Sequence, residues 1–173
     1  MALNQDFERS PFGFIRTKVI LIPAGILAGE GRFRLAENAA QSCLLQASRD
    51  PSDLKGYYVK PEPNSNNQYQ LSNLVNFMFT DAMNGCQFIV YGPDRHHVTV
   101  EHNNFFNNPG QYQQREQQVR QQNHPYFFIL RPHQDYNPLQ GVCIIGTYDK
   151  TNGWRFFIRQ RVDQNEGPLM GPV

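Results

Sequence analysis

The chain has 173 residues, of which 39% are hydrophobic and 18% charged, and a formal net charge of +1. That length suits one domain with a sizeable core, and the composition excludes a disordered chain. Near-neutral charge leaves no footprint for nucleic acid or an anionic membrane, and no window approaches the roughly 20 apolar residues that span a bilayer.

The N-terminus, "MALNQDFERSPFGFIR", carries early acidic residues and no apolar run, so it does not read as a Sec signal peptide. Residues 14–22, "FIRTKVILI", are β-rich and read as a first strand. "AGILAGEG" (24–31) invites a phosphate-loop reading but lacks the Gly-Lys-Ser/Thr ending. Residues 36–48 put Ala39, Cys43, Leu44 and Ala47 on one helical face, and 61–68, "PEPNSNNQ", is a loop by composition. Over 71–82, Leu71, Leu74, Val75, Met78, Phe79 and Ala82 recur at helical spacing, which predicts a largely buried helix.

Strands are predicted at 86–91 and 97–101 around a Gly-Pro-Asp-Arg turn. Residues 111–122 form a polar helix or a disordered segment, because they carry little apolar surface to bury. Three more strands follow at 125–130, 141–149 and 153–161, with a turn at 150–153 and a loose tail over 163–173. The pattern reads as a single α+β domain over 1–173, a mixed or antiparallel β-sandwich flanked by helices. Asn and Gln are frequent and give a polar surface with little charge.

Cys43, Cys86 and Cys143 are odd in number and widely spaced, which is no disulfide framework and fits free thiols in a reducing compartment. Cys43 and Cys143 sit in apolar patterns and read as core. Cys86 differs, because it follows Gly85 at the start of a strand, where a backbone turn admits close substrate approach. Three histidines lie nearby: His96, His97 and His102. Cys86, Phe88 and Val90 share one strand face, as do Val98, Val100 and His102 on the next. A register that joins these apolar rows, such as 92 with 96, sets Cys86 opposite or diagonal to His102, within reach of a thiol–imidazole hydrogen bond. His96 and His97 read as solvated residues near the turn. A helix ending before Cys86 would raise its pKa, so activation falls to the histidine.

"FTDAMNGCQF" (79–88) resembles the segment around the active cysteine of bacterial glutamine-deamidating toxins, the Burkholderia lethal factor and the cytotoxic necrotizing factors. That group has a Leu-Ser-Gly-Cys motif, with a histidine on a following strand; here it reads Met83-Asn84-Gly85-Cys86, with Asn84 in place of the serine. Phe79-Thr80 matches a Phe-Thr pair whose threonine belongs to the lethal factor's active site. The later "GTYDKTNGWRFFIRQR" is similar to that fold's paired closing strands. The resemblance implies a secreted or delivered bacterial effector that needs no cofactor, acts as a monomer in a host cytoplasm and deamidates a host protein. Known targets in the group are Rho-type GTPases and a translation-initiation RNA helicase. It further implies Cys86 as nucleophile, His102 as base and Thr80 as an orienting group, with Asn84 and Gly85 near the oxyanion.

Other readings stand beside it. The same residues would serve a transglutaminase or a protease. Cys86, His96, His97 and His102 offer sulfur and imidazole to zinc, although adjacent residues of a strand face opposite sides. A β-rich protein-interaction domain with three inert thiols needs no chemistry at all.

Overall fold

The computed structural model describes residues 2–23, 25–162 and 165–170, the last ten or so by backbone alone. Two short helices, α1 (Ala2–Arg9) and α2 (Pro11–Thr17), open the chain. Pro11 stands in the first turn of α2, where its missing N–H costs nothing. Of the strand expected over 14–22, only β1 (Val19–Leu21) forms.

Two expected helices are strands. Residues 36–48 fall in β2 (Gly29–Ala39) and β3 (Ser42–Ser48), an antiparallel pair with Leu35 opposite Leu45. Cys43 and Leu45 are buried while their neighbours are less so, a period of two that the helix-forming alanines mask. No helix forms over 71–82 either: β4 (Leu54–Val59) and β5 (Ser65–Leu71) precede β6 (Phe77–Thr80), whose four residues are all buried. An apolar run buried on both faces looks alike in a strand and a helix. Leu74, assigned to the helix's core face, is 73% exposed.

The rest of the chain follows expectation more closely, as β7 (Gln87–Gly92), β8 (Val98–Asn104), the polar helix α3 (Gly110–Gln121), β9 (Tyr126–Leu130), β10 (Val142–Asp149) and β11 (Gly153–Val162). In place of a loose tail, Asn165–Met170 forms β12, paired antiparallel with β11; residues 163–164 and 171–173 lie outside the described residues. The segment read as a phosphate loop runs into β2, with no helix after it.

Among the described residues the strands form an eight-stranded mixed sheet, β1-β3-β2-β4-β6-β10-β11-β12, and a four-stranded antiparallel sheet, β5-β8-β7-β9. The fold is α+β. One core lies between the sheets, where Met78, Ile144, Trp154 and Phe156 meet Phe88, Val90, Val98 and Val100. A second joins the far face of the large sheet to Phe7, Phe14 and Ile15 of α1 and α2. The outer face of the small sheet is covered by α3, which contributes Val119 against Ile89 and Tyr91. Strand β8 is therefore buried on both faces, with Val98, Val100 and His102 turned inward and Glu101 and Asn103 under α3.

Candidate functional site

Residues 81–86 connect β6 to β7 and carry the thiol. Met83 pairs with Val142 through two backbone hydrogen bonds of 2.7 and 3.1 Å, which ties this connection to the large sheet. Gly85 has φ +106, a conformation that L side chains rarely adopt, so the residue before the cysteine is glycine for a steric reason. Gly141, at φ +67, faces Asn84, and a Cβ there would come within 2.2 Å of the Asn84 carboxamide oxygen.

Two tyrosines fix the next peptide unit. The Tyr136 hydroxyl donates to the Cys86 carbonyl at 2.5 Å and accepts the Gly85 N–H at 3.2 Å. The Tyr112 hydroxyl donates to the Gly85 carbonyl at 2.8 Å and accepts the Phe105 N–H at 3.0 Å. The Gly85 N–H is thus already engaged, which removes it from the expected oxyanion donors. Neither tyrosine was identifiable from spacing, because they lie 27 and 51 residues from the glycine they hold.

Cys86 is 6% exposed and opens on a cavity of about 330 Å³. Asn64, Asn84, Asn104 and Asn107 line it beside Phe106, with no charged side chain among its lining residues. A carboxamide both donates and accepts, so this wall can bond each end of another carboxamide and offers no counter-charge to a carboxylate or phosphate. Asn64, Asn104 and Asn107 come from the "NSNN" and "HNNFFNN" runs, which β5 and β8 bring together, and Asn84 comes from the 81–86 connection.

His102 lies on the expected face and is fully buried. The rows join with the expected parity but slide by one pair: Phe88, not Cys86, is opposite His102. Cys86 is therefore diagonal to it, one step beyond the start of β7. The imidazole Nδ1 sits 3.4 Å from the Val59 carbonyl across the sheets. A carbonyl only accepts, so Nδ1 carries the proton and Nε2 presents a lone pair, which has no hydrogen-bond partner. The expected thiol–imidazole hydrogen bond is not made in this structure.

Burial pushes the Cys86 thiol up to about 11; a hydrogen bond from the Asn84 backbone pulls it partway back, and Asp81 adds to the rise. Burial likewise pushes His102 down to about 4, against the smaller opposing effect of its Val59 hydrogen bond. Both shifts favour a neutral thiol and a neutral imidazole in the resting pair at neutral pH. No helix precedes Cys86, so the expected helix-dipole effect is absent and burial takes its place.

Thr80 ends β6 as a fully buried residue and pairs with Val59, whose carbonyl His102 contacts. It thus reaches the neighbourhood of the imidazole on a strand and not on a helical turn. Its hydroxyl oxygen accepts the Ile144 N–H at 2.9 Å, so it joins β6 to β10. His96 bonds the Tyr148 hydroxyl and His97 bonds Asp94, so the two flanking histidines are held away from Cys86. Among the described residues no three His, Cys, Asp or Glu side chains group as metal ligands. None of the three cysteines is in a disulfide.

The depressed imidazole makes a pH prediction. The unfolded chain takes up a proton near pH 6.5 that the folded chain resists until about pH 4. The stability from keeping His102 neutral is thus fully present above pH 6.5, falls with pH, and is lost below pH 4, about 3 kcal/mol in all. Urea midpoints of wild type and His102→Asn should converge as pH is lowered from 7 to 4.5. A pH-independent gap would show that His102 is not held neutral by the fold.

Comparison with family models and with curated proteins finds no match to this sequence.

Proposed function

We propose that this chain is a thiol hydrolase that deamidates glutamine side chains of a protein, delivered into a host cytoplasm like the toxins its 79–88 segment resembles. The observation that carries the reading is the free lone pair of His102 Nε2, buried on the inward side of the small sheet, diagonal to the thiol that lines an asparagine-rich cavity. As the Cys86 sulfur attacks the carboxamide carbon, its proton passes to Nε2. The imidazolium then protonates the departing nitrogen, and ammonia leaves a thioester. Water, deprotonated by the same imidazole, hydrolyses the thioester to glutamate and restores the thiol. Asparagine carboxamides of the cavity and the Cys86 N–H are the oxyanion donors in this scheme. Thr80 acts on the imidazole through the Val59 backbone, as a positioning residue.

A second reading, a β-rich protein-interaction domain with inert thiols, is favoured by the missing Cys86–His102 hydrogen bond and by the un-ionised, nearly covered thiol. On these resting-state features it stands ahead of the enzyme. The test treats eukaryotic cell lysate with wild type or Cys86→Ala and searches peptides for glutamines that gain about 1 Da, the change from amide to acid. Conversions present only with wild type support the hydrolase. Identical peptide sets from the two proteins leave the interaction domain as the reading.

A further inference from the structure

Next to the Cys86 cavity lies a larger groove of about 920 Å³, between α3 and the segment 131–139. The two spaces share Asn84 and Phe106, so a chain lying in the groove runs beside the cavity that holds the thiol. Phe106 at 78% exposure and Leu139 at 94% stand on its walls as apolar groups without cover. The charges there are already matched: Glu116 accepts from Arg120 and from Arg131, and Arg131 also bonds Asp135. An acidic or basic ligand finds no spare counter-charge in these pairs, and a neutral one loses nothing.

We infer that this groove seats the polypeptide segment carrying the target glutamine, a neutral stretch with apolar residues beside it, and that Phe106 and Leu139 are its specificity contacts. The inference rests on the deamidase reading of Cys86 and adds the kind of sequence that reaches it. A segment with a leucine on either side of the glutamine meets both contacts, whereas free glutamine fills only the smaller cavity.

The test uses 6-diazo-5-oxo-norleucine, a glutamine analogue that alkylates a thiol with loss of N₂. It is supplied as the free amino acid and within a blocked peptide, Ac-Ala-Leu-X-Leu-Ala-amide. Mass spectrometry follows labelling of Cys86. The peptide should label at least about tenfold faster, the scale of one apolar side chain gaining a pocket. Leu139→Asp should lower that ratio severalfold, to what the Phe106 contact alone supplies, while Leu27→Asp, at an exposed leucine outside the groove, should leave it unchanged. Equal rates for the two probes, or a ratio insensitive to Leu139→Asp, would overturn the groove while leaving the Cys86 site standing. Failure of both probes to label Cys86 would overturn the site and the groove together.

Discussion

Cys86→Ser should remove amide hydrolysis by at least about a thousandfold while the melting temperature stays within about one degree of wild type. The loss is expected because a hydroxyl is far less acidic and far less nucleophilic than a thiol, so the imidazole that serves the thiol does not activate it. The unchanged stability follows from the surroundings. The side chain meets an asparagine-lined cavity, and the Asn84 backbone already hydrogen-bonds the sulfur, so a serine oxygen inherits a partner. An inert thiol in the same surroundings would leave wild type with no hydrolysis for the serine to remove. A hydroxyl that failed to take over the Asn84 partner would cost about 1–3 kcal/mol, or roughly 3 °C or more for a chain of this size. Ammonia release from a glutamine peptide and calorimetry on the same samples separate the two. Melting lowered by that amount, with no hydrolysis to lose in wild type, would end the case for Cys86 as nucleophile.

How far this site could be read from sequence depended on which forces set each part. The inward row of Val98, Val100 and His102 was legible, because alternation fixes which face a strand residue takes. Parity does not fix sliding. Asp94 accepts the backbone N–H groups of both His96 and His97, so the connection runs to five residues, 93–97, and moves His102 from Cys86 to Phe88. Strands β7 to β11 were legible from β-branched and aromatic runs between Gly and Asp turns, whereas β12, Asn-Glu-Gly-Pro-Leu-Met, reads as a loose tail because Gly and Pro interrupt it. The β6 run was not legible either, since a strand covered on both faces has no alternation to show. The tyrosine hold on Gly85 and Cys86 was beyond reach, because it depends on long-range packing.

Arg115→Ala should be the most destabilising change on the outer face of the small sheet, at about 3–5 kcal/mol, and should exceed Glu101→Gln. Glu101 is wholly buried under α3 and accepts from Arg115 Nε at 2.9 Å and from the Tyr91 hydroxyl at 2.8 Å. Asn103 and Asn66 each donate to it at 3.3 Å. Removing the guanidinium strands a carboxylate with neutral donors only, whereas Glu101→Gln keeps an acceptor and leaves Arg115, 17% exposed, free to turn to water. The effect should be local as well as large. Helix α3 has little apolar surface and buries only Val119, so this ion pair is a principal tie to the sheet. The same helix carries Tyr112, which holds the Gly85 carbonyl, and Glu116 of the groove. Hydrogen exchange in Arg115→Ala should therefore accelerate first across residues 110–121, and next at 85–87. Protection lost evenly through both sheets, or a urea midpoint like that of Glu101→Gln, would show that α3 is held by something other than this buried pair.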